Sequence, residues 1–161
     1  MNDKKKQRCC FTGHRPEKLR CSEIIVKEKL RKAIQNAIQD GYRTFIVGMC
    51  RGIDLWAGEI VLEERQSDDE LHLIAAIPHP NFEKLWGEKE QNLYKKVLDG
   101  ADIVKTISNT YYKSCYQKRN IWMVDRSSRV IAAYNGEKGG TRNTIFYAEK
   151  CDIEVINILD K

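Results

Sequence analysis

A chain of 161 residues has the size of one domain, and its 28 Lys and Arg against 23 Asp and Glu leave a net charge of +5, which permits an anionic partner without requiring nucleic acid. The 6 cysteines form no C-x-x-C pair and no apolar run approaches the ~20 residues of a membrane span, so a disulfide framework, a zinc site and a membrane-spanning protein are excluded. We therefore expect a soluble, cytoplasmic protein with reduced thiols, no metal and no membrane partner.

Apolar runs alternate with helical patterns along the whole chain, an arrangement typical of a mainly parallel sheet with helices on both faces. It predicts a single three-layer α/β sandwich over residues 1–161, with no linker and no internal repeat. The predicted strands lie near residues 8–12, 44–48, 71–77, 103–107, 129–134 and 154–159. The helical patterns between them cover residues 22–41, 54–65, 82–98 and 116–125 and a segment that opens after Gly140.

Three segments carry more specific expectations. The "KKK" at residues 4–6 is expected to lie in a frayed N-terminus. Cys9 and Cys10 are adjacent in the first strand and should be buried on its opposite sides. The third helix is predicted to bury apolar side chains at spacings of three, four and seven: Phe82, Leu85, Trp86, Leu93, Val97 and Leu98.

Unusual loops follow four of the predicted strands. They read "TGHRP" after the first strand, "GMCRGID" after the second, "PHP" after the third and "NGEKGGTRN" after the fifth. Ligands of an open parallel sheet bind beyond the carboxyl ends of its strands, where helix N-termini also point. We therefore expect these four loops to lie together at one edge of the sheet.

These loops carry the groups that hold a phosphate or a sugar. Glycines let backbone N–H groups approach an anion, arginines bind phosphate oxygens in pairs, and threonines supply hydroxyl groups. Asp54 would accept from a ribose hydroxyl or would simply cap its helix, and the sequence leaves both interpretations open. The ligand-binding candidates are Thr12, Gly13, His14, Arg15, Gly48, Arg51, Gly52, Asp54, Gly139, Gly140, Thr141 and Arg142.

Several aromatic and histidine residues have two interpretations. Trp56 has the spacing of a core residue, yet it lies close enough to a candidate loop to stack on a base. Tyr111 and Tyr112 beside Lys113 give a faint indication of nucleic-acid stacking. His79, between two prolines, is either structural or part of the site.

Two common nucleotide motifs are missing from the sequence. No G-x-x-x-x-G-K-[ST] is present, which excludes a P-loop, and no G-x-G-x-x-G follows the first strand. Instead, "FTGHRP", "VGMCRGIDLWAGE" and "GEKGGTRNTIFYAEK" together resemble the YpsA-like family, within the SLOG superfamily of Rossmann-like folds. The resemblance covers nearly the whole chain. It implies a Rossmann-like domain that binds a nucleotide derivative through its glycine-rich loops.

Two relatives within that superfamily imply different functions. "CRGID" at residues 50–54 is similar to the "ARGID" segment of the DNA-processing protein DprA, although other DprA segments are missing from this sequence. This similarity implies a protein that binds single-stranded DNA. The contacts would then be made by Arg51, Lys113, Lys118 and Arg119. The Lonely Guy phosphoribohydrolases release a base from a nucleoside monophosphate. Their "RK" helix resembles Arg119 and Asn120, and their "PGGxGT" loop resembles residues 139–141.

The chain departs from the hydrolase pattern at the carboxylate. The residues that follow the glycine pair are "TRNT", without the Glu that would stabilise a cation-like sugar and activate water. Asp54 or Glu59 would have to replace it. The catalytic candidates are therefore Arg119, Asp54, Glu59 and His14.

Taken together, the sequence predicts a nucleotide-binding or nucleotide-sugar-binding protein in a sensing or regulatory role. ADP-ribose and NAD are the kind of ligand expected, with the phosphates on Arg15, Arg51 and residues 139–141 and a ribose on Asp54. A nucleoside monophosphate phosphoribohydrolase and a single-stranded DNA-binding protein are the alternatives. The apolar helix faces also suggest a homodimer.

Overall fold

Six strands pair side by side, each parallel to its neighbours, in the order β4-β3-β2-β1-β5-β6. The structure is a computed structural model that describes residues 3–159. All of the predicted strands are present, with bounds that differ from the prediction by two residues at most. They are β1 (Arg8–Gly13), β2 (Thr44–Val47), β3 (His72–Ile77), β4 (Ile103–Thr106), β5 (Arg129–Ala133) and β6 (Glu154–Asn157).

Helices cover both faces of this sheet, as the alternation of patterns predicts. On one face α2, α3 and α4 pack together, and on the other α5 packs against α6. None of the described helices has the length and apolar character needed to cross a membrane. The helices are α1 (Asp3–Lys6), α2 (Glu23–Gln39), α3 (Ile53–Arg65), α4 (Glu88–Gly100), α5 (Cys115–Asp125) and α6 (Gly140–Lys150), with a 3-10 turn at Pro16–Lys18.

Neighbouring residues of β1 point into different halves of the core. Cys9 packs in the larger cluster with Val26, Leu30 and other residues of α2 and α3, whereas Cys10 packs with Met123 of α5. Both thiols are free and fully buried. The prediction that the two cysteines face opposite sides is confirmed.

The strand order creates a crevice at one point of the sheet. From β1 the chain moves outward through β2, β3 and β4, and then returns to place β5 on the other side of β1. Helices that leave β1 and β5 therefore diverge to opposite faces. Crevices of this kind, at the carboxyl ends of the strands where the order reverses, are where open α/β sheets bind ligands.

The third predicted helix begins later than its apolar spacing indicates. The helix α4 starts at Glu88, after Gly87 in extended conformation, and the preceding residues 81–86 form turns. The Gln91 side chain donates to the carbonyl of Trp86 at 2.8 Å and holds the last of these turns against the helix. The predicted helix is therefore wrong over its first turn and a half, where successive turns mimic helical spacing.

Leu85 is the residue most affected by this difference. It was expected in the core but is 95 % exposed, while Phe82 and Trp86 are half-buried and Val97 is fully buried.

The expectation of a frayed N-terminus is also wrong, because residues 3–6 form a helical turn. The Ser128 hydroxyl donates to the carbonyl of Lys6 at 3.1 Å and ties this turn to the body.

Candidate functional site

A cleft of about 290 Å³ opens at the crevice between the ends of β1 and β5. It is hereafter called the switch-point cleft, and its walls come from the loops after β1 and β2, the start of α6 and one face of α5. Three of the four loops that were predicted to meet at one edge therefore line this cleft, whereas the "PHP" loop after β3 is outside its lining and contacts it through Tyr116. The cleft brings together nine of the predicted binding residues: Thr12, Gly13, His14, Arg15, Arg51, Asp54, Gly139, Gly140 and Thr141.

Apart from Gly48 and Gly52, which shape the loop after β2, two predicted residues lie away from this cleft. The guanidinium of Arg142 lies 4.9 Å above the ring of Phe146, one helical turn further along α6. The carboxylate of Glu59 pairs with Lys96 of α4 at 3.0 Å, on the outer side of α3. Neither side chain therefore contributes to the switch-point cleft, and Glu59 is not placed to act as its catalytic carboxylate.

The loop between β2 and α3 is tightly wound beneath the cleft. Met49 is fully buried with φ at 68°, a conformation that bulky residues rarely adopt, and Gly52 has φ at 89°. A Cβ on Gly52 would also lie 2.9 Å from Cδ of Pro16. Gly52 thus shapes the loop rather than lining the cleft.

Asp54 binds this loop through one of its two carboxylate oxygens. Oδ2 accepts from the backbone N–H of Cys50 at 3.2 Å, and the N-cap of α3 is Gly52. The capping interpretation of Asp54 is therefore wrong, since the carboxylate holds the loop that precedes the helix. The second oxygen, Oδ1, is buried and has no hydrogen-bond partner within residues 3–159.

Arg119 of α5 reaches across the cleft floor to the same loop. Its guanidinium donates to the carbonyl of Gly48, to Sγ of Cys50 at 3.5 Å and to Oδ1 of Asn120 at 2.9 Å. Only 4 % of Arg119 is exposed. A Cβ on Gly48 would come within 3.0 Å of both Arg119 and Asp54, so glycine is required there for the two charged groups to approach.

Burial sets the electrostatics of this group of residues. It raises the pKa of the Asp54 carboxyl, and the positive charge of Arg119 opposes that shift. Burial likewise raises the pKa of the Cys50 thiol, which keeps the sulfur neutral at pH 7. A permanent cation, a carboxylate and a neutral thiol thus share the floor of the cleft.

His14 lies at the other side of the cleft and is 7 % exposed. Its ring is stacked on Tyr134 at 5.6 Å between centroids, and its backbone N–H donates to the carbonyl of Ala133. Nε2 is buried and, in the part of the chain that the structure describes, has no partner. Burial lowers the pKa of His14, with Lys18 acting in the same direction and Glu137 opposing.

We expect His14 to make the protein less stable in acid. A histidine whose pKa is lowered in the folded state binds fewer protons there than in the unfolded chain, so stability is lost as the pH falls below about 6.5. Urea unfolding at pH 5, 6, 7 and 8 would measure this, and His14→Gln should flatten the acid limb of the profile. The exposed His72→Gln is the control; equal profiles for His14→Gln and the wild type would contradict the assignment.

Arg51 is held at the mouth of the cleft by carboxylates. It pairs with Glu17 at 3.0 Å and with Glu90 at 3.6 Å. These contacts fix the guanidinium in place and partly neutralise it. The remaining basic side chains of the lining are Arg15, Lys18 and Lys138.

Sequence reasoning missed part of this lining. Tyr116 was not identified, although it lies three and four residues before Arg119 and Asn120, which the sequence had already singled out, and so shares one face of α5 with them. Lys138 lies within the quoted "GEKGG" loop. Trp56 is 6 % exposed and packs in the core, so the base-stacking interpretation of this residue is wrong.

Comparison with known proteins agrees with this architecture. The model of the YspA SLOG family matches residues 9–154. Among curated proteins, the UPF0398 protein of Bacillus thuringiensis (strain Al Hakam) is 29 % identical over 134 residues, which are 82 % of this chain and 73 % of that one. A UPF0398 protein of Bacillus cereus (strain AH187) matches to the same extent.

Among solved structures the chain resembles two DNA processing proteins A. That of Streptococcus pneumoniae superposes with a TM-score of 0.68 at 19 % identity, over 94 % of this chain and 50 % of that one. That of Helicobacter pylori, which binds single-stranded DNA, gives 0.67 at 16 % identity, over 94 % and 64 %. The chain spans half to two thirds of the length of these proteins, and at such identities the likeness shows the fold alone.

The match of the family model over residues 9–154 confirms the family resemblance of the three sequence motifs: the chain belongs to the YspA SLOG family.

Proposed function

We propose that this protein binds a nucleotide or nucleotide-sugar of the ADP-ribose or NAD kind in the switch-point cleft, in a sensing or regulatory role. The observation that carries the proposal is Oδ1 of Asp54, a buried carboxylate oxygen without a partner among the described residues, on the floor of that cleft. An unmet acceptor of this kind is costly unless a water molecule or a ligand donates to it. A ribose hydroxyl is such a donor.

The start of α6, which also lines the cleft, suits a phosphate. Residues 139–141 form the start of α6, whose first backbone N–H groups have no partner within the helix and carry partial positive charge. Arg15, Lys18 and Lys138 add full positive charges to the lining of the same cleft. A ligand with phosphate next to ribose would therefore meet N–H groups and cations at its phosphate and Asp54 at its ribose.

The regulatory role is supported by how the charged groups on the floor are used. Arg119 is engaged by Gly48, Cys50 and Asn120, and Asp54 is engaged by Cys50. Groups that hold the fold together in this way are not free to move with a reacting sugar. Binding without turnover fits this arrangement better than bond cleavage does.

We expect Asp54→Asn to weaken nucleotide binding about 10- to 100-fold, because a hydrogen bond to a charged acceptor is replaced by one to a neutral amide. Calorimetric titration with ADP-ribose, NAD and AMP would measure it. The ligand that binds the wild type should also raise its unfolding temperature, since 100 times the dissociation constant adds about 2.7 kcal/mol.

Glu59→Gln is the matched control, because it removes a carboxylate from the same helix outside the cleft. It should bind as the wild type does. If no nucleotide binds the wild type, or if Asp54→Asn binds as tightly as Glu59→Gln, the proposal is wrong.

Single-stranded DNA is the second candidate, and it rests on the fold shared with the DNA-binding Helicobacter pylori protein and on the basic rim of the cleft. A short oligonucleotide in the same titration distinguishes the two. Binding to DNA alone, with an affinity that falls steeply with salt, would favour this candidate. Release of free base from AMP would instead favour a phosphoribohydrolase that uses Asp54 and Arg119.

A further inference from the structure

A second cleft, of about 350 Å³, adjoins the switch-point cleft. The two share the side chains at their junction, Arg15, Cys50, Arg51 and Tyr116. Because the same four residues line both, a ligand held at the junction would extend into either space. The second space is called the aromatic cleft from here on.

Apolar side chains from the turns at residues 81–86 line part of the aromatic cleft. Phe82 and Trp86 lie edge to face with centroids 5.3 Å apart, and Tyr94 of α4 supports both rings from 5.7 and 5.8 Å. Leu85, 95 % exposed, forms part of the rim. A large apolar side chain is left in water here, beside aromatic rings and next to a cationic site.

His79 lies behind the lining of this cleft and supports two of its side chains, Phe82 and Tyr116. Its Nδ1 donates to the carbonyl of Pro80 at 2.9 Å, which leaves Nε2 to accept from the hydroxyl of Tyr116 at 3.4 Å. The His79 ring also meets Phe82 and Tyr116 edge to face, at 6.0 and 5.8 Å. The "PHP" loop thereby fixes the orientation of Tyr116 at the junction.

We propose that the aromatic cleft binds the nucleobase of an ADP-ribose-like or NAD-like ligand, with one phosphate at the junction and the other in the switch-point cleft, next to the second ribose that Asp54 would bind. This rests on the proposed function and deepens it. Planar bases bind proteins by stacking on aromatic side chains, and here such side chains lie beside the arginines that would bind the phosphate. The ligand class is then a nucleotide with an intact base, and a base-free sugar phosphate would fill only the first cleft.

The experiment compares probes with and without a base. The base-bearing probes are AMP, ADP-ribose and NAD, and the base-free probe is ribose 5-phosphate. We expect at least one base-bearing probe to bind the wild type about tenfold more tightly than ribose 5-phosphate does. Trp86→Ala should remove most of that advantage and leave ribose 5-phosphate binding unchanged.

Tryptophan fluorescence gives a second readout that does not depend on the alanine variant folding. A stacked base should quench Trp86, so Trp86→Phe should lose the quenching while it keeps an aromatic ring and the ligand. Trp122, packed against Arg126 on α5 away from both clefts, supplies the control, because Trp122→Phe should leave the quenching intact.

The outcomes separate this inference from the proposed function. If base-bearing probes bind but ribose 5-phosphate binds equally well, or if the quenching survives in Trp86→Phe, the base lies elsewhere and the inference is wrong while the proposed function stands. If no probe binds the wild type, both are wrong.

Discussion

We expect Arg119→Met to lower the free energy of unfolding by about 3–5 kcal/mol, because it leaves the carboxylate of Asp54 buried without a nearby opposite charge. The substitution also removes the donors to Gly48, Cys50 and Asn120, so the loop after β2 loses its connection to α5. Urea unfolding at pH 7 would measure the change. Arg126→Met is the matched control, since that arginine is exposed at the C-cap of the same helix.

The same variant makes a prediction about pH. Without Arg119, the pKa of Asp54 should rise further above its ordinary value of 3.8. A carboxyl with a raised pKa binds more protons in the folded state than in the unfolded chain, so stability falls as the pH rises through that interval. The difference between Arg119→Met and the wild type should therefore be smaller at pH 5 than at pH 7.

A double-mutant cycle tests whether the two residues act together. If Arg119 stabilises the protein by compensating the Asp54 charge, its removal should destabilise Asp54→Asn much less than it destabilises the wild type. An equally large loss in both backgrounds would mean that Arg119 acts through its hydrogen bonds alone. The coupling energy would then be near zero, and the argument from charge would be wrong.

The sequence predicted the sheet and its loop edge well, for a physical reason. Strands buried on both faces are continuous apolar runs, and the glycine, proline and charged residues that follow them can lie only at the sheet edge. The turns at residues 81–86 were predicted as part of a helix because their apolar residues have the spacing of one face of a helix. What separates them from α4 is a single residue, Gly87, in extended conformation.

The site residues that were misplaced share another cause, which is their position around a helix. Glu59 follows Asp54 by five residues, which turns it about 140° away along α3, so the two carboxylates cannot face one cleft. Arg142 is one turn before Phe146, and that spacing favours packing along α6 over reaching the loops. Both residues were chosen as candidates because they lie close in sequence to the site loops. Their angular positions around the helices, however, turn their side chains away from the cleft.

We expect Gly13→Ala to destabilise the protein by about 1–3 kcal/mol through overpacking. A Cβ at this position would lie 2.8 Å from Cβ of Ile53, the first residue of α3, and a Cβ has no rotamer by which to move away. The helix would have to shift, and Asp54 would shift with it. Urea unfolding should therefore show the loss of stability, and titration with AMP or ADP-ribose should show weaker binding.

Gly140→Ala is the control for stability, because nothing lies within 4 Å of a Cβ at that position. Its unfolding free energy should stay within about 0.5 kcal/mol of the wild type. If Gly13→Ala is equally mild, the close contact between β1 and α3 is not needed. If it is destabilising as expected, the glycine of "TGHRP" is there to let α3 approach the end of β1, and this approach is what brings Asp54 to the floor of the cleft.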